Sequence, residues 1–113
     1  MPKKNKFVLP QEIHVGSIIY KIEEKENLTY DDHQSNERVY GLTCYDKQTI
    51  YIEKNLEDDV KKVVLLHEIL HTLLFNGGED DINTKIHRII DLIAHQLMEF
   101  FIKNPDFYKH LQI

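Results

Sequence analysis

Hydrophobic positions along the chain change their spacing from strand-like to helical near residue 55. The segment IHVGSIIYKIEE, Ile13 to Glu24, is β-branched and aromatic with partial two-residue alternation, which predicts one strand or two short ones. KENLTYDDHQSNER, Lys25 to Arg38, has no periodicity and predicts a loop. VYGLTCYDKQTIYIE then supplies two β-prone segments, Val39 to Tyr45 and Gln48 to Glu53, joined at Asp46 and Lys47 as a hairpin. Beyond them Val60, Val63, Val64, Leu70 and Leu74 recur at helical spacing. Asn55 is the expected N-cap, Asp58 and Asp59 place negative charge where the helix dipole favours it, and Gly77 and Gly78 end the helix. A second helix is predicted from about Glu79 to Asn83 through Lys103, stopping at Asn104 and Pro105, with Ile86, Ile90, Ile93, Leu97 and Phe101 on its apolar face. Without internal repeats or low-complexity tracts, residues 1–113 predict a single α+β domain, a small antiparallel sheet or hairpin packed on two main helices.

Composition narrows the functional classes. A chain of this length buries roughly two thirds of its unfolded surface, and 42% apolar with 29% charged residues is the balance of a folded soluble protein. The net charge is −5, and interspersed lysines and carboxylates leave no basic stripe for phosphates, so no nucleic-acid partner is expected. Phe7, Val8 and Leu9 are too few for a signal-peptide core, and no apolar run nears the roughly 18 residues that span a bilayer. No membrane association is expected, and the location implied is cytoplasmic. The single cysteine, Cys44, forms no internal disulfide and agrees with a reducing compartment.

The first helix carries chemistry that a core has no use for. In VVLLHEILHTLLF, Val63 to Phe75, His67, Glu68 and His71 match H-E-x-x-H. Four helical residues rotate about 400°, which puts both imidazoles on one face a turn apart, where they can bind one metal ion. Zinc suits neutral imidazole, and a catalytic zinc takes three protein ligands and keeps a position for water. Glu68, about 100° further round, is placed to take that water's proton, while the metal acidifies the water and polarises a carbonyl. Chance supplies roughly 0.04 such matches in a chain of this histidine and glutamate content, so the motif needs its context. That context is a β-hairpin before it and a helix after it with His87, Asp91 and His95 at four-residue intervals.

These pieces resemble the zincin-type metallopeptidases, in particular small phage and prophage proteins built as a β-hairpin, an HEILH helix, a glycine pair and a helix with an acidic residue. The resemblance rests on YGLTCYDKQTIYIEKNLEDD, LLHEILHTLL and IIDLIAHQLMEFFIKNP, and spans Gly41 to Pro105, more than half of the chain. ImmA/IrrE-type peptidases of mobile elements are distantly similar. The resemblance implies a third zinc ligand on the following helix, usually glutamate in the gluzincin branch. Asp91 is the matching position, with 19 residues between it and His71, and being one methylene shorter it departs from that pattern. His95 and His87 are the alternatives at that place, and His95 also fits a role in orienting a ligand by hydrogen bond.

Cys44, in a strand, reads as a small hydrophobe rather than a ligand, because the glycine-rich and cysteine motifs of peptide deformylases are missing around it. Tyr40, Tyr45 and Tyr51 read as hairpin packing residues. The expected activity is zinc-dependent hydrolysis of a peptide bond in a peptide or protein substrate, with Zn2+ on His67, His71 and Asp91 and Glu68 as general base. The alternative is a zinc-stabilised phage protein that binds a host protein on the same scaffold without turnover, in the host cytoplasm.

Overall fold

A computed structural model describes residues 7–30, 37–79 and 81–111. In chain order they form β1 (Glu12–Val15), β2 (Ile18–Lys25), β3 (Gly41–Cys44), β4 (Thr49–Glu53), α1 (Asp58–Asn76), α2 (Thr84–Lys103) and α3 (Phe107–Leu111). The α+β architecture expected from the periodicity is present. Gly16, at φ 61°, turns β1 into β2, so Ile13 to Glu24 is two strands rather than one. The second hairpin turns over Tyr45 to Gln48, where the Gln48 N–H donates to the Tyr45 carbonyl at 3.1 Å.

The sheet order is β1-β2-β4-β3, with β1–β2 and β3–β4 antiparallel and β2–β4 parallel. An entirely antiparallel sheet was expected. The parallel pairing arises because β3 descends at the edge and β4 returns through the slot between β3 and β2, bringing Ile50 beside Ile22. A buried carboxylate holds that slot closed. Glu53, 3% exposed at the end of β4, accepts the N–H of Leu28 at 2.9 Å and that of Asn55 at 3.2 Å, and pairs with Arg38 at 3.5 Å. The backbone donor of Leu28, helped by Asn55, Asn27 and Arg38, outweighs burial and holds its pKa below the usual carboxylate value. The segment expected to be a loop, Lys25 to Arg38, is thus pinned at its base, with a bridge between Thr29 and Arg38; residues 31–36 lie outside the described residues.

One face of the sheet contributes Val15, Tyr20, Ile22, Ile50 and Ile52 to a core completed by Val64 and Leu65 of α1. α2 packs on α1 and not on the sheet, which makes three layers with α1 in the middle. Being covered on two sides explains why α1 buries Lys61, Glu68 and Thr72 as well as Val64 and Leu65. Lys61 meets Glu24 at 2.5 Å, and the Thr72 hydroxyl donates to the Ile69 carbonyl at 2.6 Å. The cap of α1 is Glu57, whose side chain makes no capping hydrogen bond, rather than Asn55, whose N–H is taken by Glu53. The helix stops at Gly77, and Gly78 follows at φ 98°. Asn83 caps α2, accepting the Ile86 N–H at 2.9 Å, and α2 ends at Lys103 as its sequence predicts. α3, after Pro105, was not anticipated.

Candidate functional site

The site is built where α1 and α2 cross. The four-residue spacing on α1 brings Nε2 of His67 and Nε2 of His71 face to face at 3.2 Å. The first turn of α2 adds His87, whose ring centroid lies 5.0 Å from that of His67 and 5.3 Å from that of His71. One ligand atom from each of the three rings lies within 4.8 Å of the others. Ligands at about 2.0 to 2.1 Å from a tetrahedral ion stand about 3.3 Å apart. The His67–His71 pair already has that separation, and His87 needs to close by on the order of an ångström, within reach of a side-chain rotation. A hydrogen bond between the two α1 imidazoles also accounts for their distance, but it leaves the convergence of the third ring unexplained.

Electrostatics keep the α1 pair uncharged. Burial pushes the His71 pKa down to about 4, with the neighbouring His67 and His87 adding to the effect. His67 is lowered by burial and then by His87, against the opposing pull of Asp91. Both imidazoles are therefore neutral near pH 7, the form that binds metals.

Asp91, the residue expected to complete the ligand set, stands outside the cluster. Its Oδ1 lies 3.4 Å from Nδ1 of His67, on the opposite side of that ring from His71, and its side chain is 59% exposed. His87, an alternative at that place in the sequence reading, occupies the third corner. The two differ by one helical turn and about 40° of rotation, a difference that the rotation of α2 about its own axis decides. His95, one helical turn beyond Asp91, directs Nδ1 to the Asp91 carbonyl at 2.9 Å and to its carboxylate at 4.0 Å.

Glu68, about 100° further round α1 than His67, turns under β3. It is 7% exposed, and Oε1 accepts the hydroxyl of Thr43 at 2.7 Å. Burial raises its pKa to about 7, opposed by that hydrogen bond. Gly41 makes the fit possible: a Cβ there would come within 2.7 Å of Val64 Cγ1 and 3.0 Å of Glu68 Oε2. Tyr45 stacks on Phe75 at 4.2 Å, and its pKa is pushed up to about 12 by burial, then by the charges of Glu68 and Tyr20. It remains a neutral phenol beside the buried acid. Thr43 and Gly41 were not singled out in the sequence. The signal was there in the two-residue alternation of GLTC, which puts a glycine and a hydroxyl on the helix-facing side of a strand otherwise suited to larger residues.

An open cleft of about 420 Å³, lined by Ile82, Asn83, Thr84, His87, Arg88 and Asp91, adjoins the cluster on the α2 side. Cys44, half-buried opposite Thr49, takes no part in the histidine cluster. Among the other hairpin tyrosines, Tyr51 lies under the Lys25 ammonium and Tyr40 is largely exposed. No helix among the described residues is long and apolar enough to cross a membrane. No protein-family model matches the chain, and no curated protein or solved structure matches it significantly.

Proposed function

We propose that the chain is a zinc-dependent peptidase-like hydrolase of zincin type acting in the cytoplasm, in which His67, His71 and His87 hold the metal and Glu68 moves the proton. The observation that carries this reading is the convergence of three imidazoles from two helices, two of them held neutral, with a buried carboxylate one residue from the first. Histidines that only packed the helix crossing would gain nothing from bringing three ring nitrogens so close. When bound, zinc contributes Lewis acidity toward a water molecule and a carbonyl oxygen.

The protein's own groups divide the remaining work. Asp91 accepts the Nδ1 proton of His67, which leaves Nε2 with its lone pair toward the cluster. Glu68, poised near neutrality, takes a proton from the attacking water and delivers it to the leaving amine. The Thr43 hydroxyl aims the carboxylate and tempers the effect of burial. β3 is an edge strand, so an extended peptide can add to it by main-chain pairing and run across the face of α1. The substrate class is therefore an unfolded peptide or an exposed segment of a protein.

Profiling of peptide-library cleavage by zinc-loaded wild type and Glu68→Gln tests the reading. Cleavage by wild type that is lost in a variant still holding zinc supports it. Wild type that holds one zinc per chain, cleaves nothing and acts on a host protein by stoichiometric binding favours the alternative, a zinc-stabilised interaction protein.

A further inference from the structure

The outer edge of the β3 segment is taken at one end by the chain itself. Thr29 and Arg38 form an antiparallel bridge in which the Val39 N–H donates to the Leu28 carbonyl at 3.1 Å and the Tyr30 N–H to the Glu37 carbonyl at 2.8 Å. On the inner side the Glu53 N–H donates to the Tyr40 carbonyl at 2.8 Å. In an antiparallel ladder the bonded pairs alternate, so Tyr40, Leu42 and Cys44 pair with β4, while Gly41 and Thr43 turn their main-chain groups outward, in line with those of Glu37 and Val39. Among the described residues no main-chain partner takes these outward groups of Gly41 and Thr43. The chain leaves the lane at Asn27, at φ 54°, and the Leu28 N–H goes to the Glu53 carboxylate instead of the Val39 carbonyl. Leu28 is buried, so the stop beside Val39 is anchored.

The open part of the lane passes the histidines. Gly41 and Thr43 face Glu68, and Tyr45, two residues on, stacks on Phe75, so β3 runs in the direction of α1. His71 and His67 lie about 60° and 100° round α1 from Glu68, on the side toward α2. Their four-residue spacing is about 6 Å along the helix, close to the rise of two strand residues from Gly41 to Thr43. An extended peptide beside β3 therefore passes them over that stretch. We infer, resting on the proposed hydrolysis, that the bond cleaved lies about two residues from the C-terminus of the substrate. The lane's own occupant runs antiparallel to residues 37–39, the pairing with the better aligned hydrogen bonds, and a substrate laid the same way points its C-terminal end at Leu28. From a reacting carbonyl level with Leu42, between the two residues that face Glu68, the places opposite Gly41 and Tyr40 remain before Leu28 stands opposite Val39. As the bond breaks, the water oxygen stays on the acyl carbon and the proton carried by Glu68 passes to the amine of the released dipeptide. Residues 28–30 thus make the site read a chain end.

Calorimetric titration of the zinc-loaded full chain with phosphinic peptides tests this without turnover, since the phosphinate stands in for the hydrated peptide bond and is not cleaved. An analogue with two alanines after the phosphinate is expected to bind roughly tenfold tighter, or more, than one with six, which must displace the two main-chain bonds of residues 28–30. Four further alanines on the N-terminal side are expected to carry no such penalty. Tyr30→Pro, which lacks the N–H that Glu37 accepts, is expected to bring the longer analogue about fivefold closer to the shorter one while binding the shorter one as wild type does. If that variant does not fold, the two lengths compared on wild type decide the matter. Equal affinities for the two lengths, a penalty on N-terminal extension instead, or a length penalty that a folded Tyr30→Pro leaves intact would overturn this inference alone. No zinc-dependent binding of any analogue would overturn the proposed hydrolysis along with it.

Discussion

Nδ1 of His67 lies 3.4 Å from Oδ1 of Asp91, while Nε2 of the same ring faces His71 at 3.2 Å. One imidazole is thus gripped from both ends, by a carboxylate at one nitrogen and by the histidine cluster at the other. On the proposed reading this relationship casts Asp91 as a positioning residue and His87 as the third ligand.

That division is open to direct measurement. His87→Ala, like His67→Ala and His71→Ala, is expected to weaken zinc binding by orders of magnitude, as each removes a ligand. Asp91→Asn is expected to cost about 10 to 100-fold, the usual effect of removing a partner that orients a ligand. Competition with a chromophoric chelator reads both. Near-normal affinity in His87→Ala with abolished binding in Asp91→Asn would return Asp91 to the ligand set.

About one zinc per chain is expected by elemental analysis, since the described residues contain a single three-histidine cluster. Ligand at 100 times Kd stabilises a fold by about 2.7 kcal/mol, which for a chain of this size is on the order of 10 °C in Tm. Chelation is expected to lower the melting temperature by that order. An unchanged Tm after removal of bound zinc would place the metal elsewhere.

In metal-free protein, stability should respond to pH through two opposing groups. The folded pKa of Glu68 is raised from 4.5 to about 7, so its contribution is full below 4.5 and is lost as pH rises through 7. His71 is lowered from 6.5 to about 4, so its contribution is full above 6.5 and is lost as pH falls through 4, with His67 acting in the same direction. Between about pH 4.5 and 6.5 these slopes oppose one another. Glu68→Gln is expected to leave a rising slope there and to gain up to roughly 3 kcal/mol over wild type at pH 8, where burial of the carboxylate charge is relieved. Urea unfolding in chelator across pH 4 to 8 measures it, and parallel curves for variant and wild type would refute the assignment.

Gly41→Ala is expected to damage the site from the strand side. Its Cβ would stand 2.7 Å from Val64 Cγ1 and 3.0 Å from both Cγ and Oε2 of Glu68, so helix and strand must part, at a cost of about 1 to 3 kcal/mol. On the proposed reading hydrolysis should fall more than zinc affinity does, because there the displaced group serves as the base and not as a ligand. Denaturant midpoints, zinc titration and cleavage assays on the one variant separate these effects.

Glu53→Ala is expected to destabilise by about 2 to 4 kcal/mol, leaving the N–H groups of Leu28 and Asn55 without their buried acceptor and loosening the segment that lets β4 lie between β2 and β3. Equilibrium unfolding measures the loss. A change below about 0.5 kcal/mol would show that other contacts hold the slot.

What was legible in the chain was what short range controls. The alternation around Tyr20 and Ile22, the helical spacing through α1, and the placement of His67, Glu68 and His71 follow from backbone geometry over a few residues, and they hold in the structure. The glycine pair and Asn83 mark helix ends for the same reason. Two matters depended on contacts between distant segments. The insertion of β4 beside β2 rests on the Glu53 carboxylate meeting the Leu28 backbone, 25 residues away in sequence. That His87 and not Asp91 converges on His67 and His71 rests on how α2 is rotated and inclined on α1, where Ile90 and Ala94 are buried. Along α2 both residues border the apolar face and both bind metals well, so no local pattern ranks them. Only the helix crossing puts one among the imidazoles and the other behind His67.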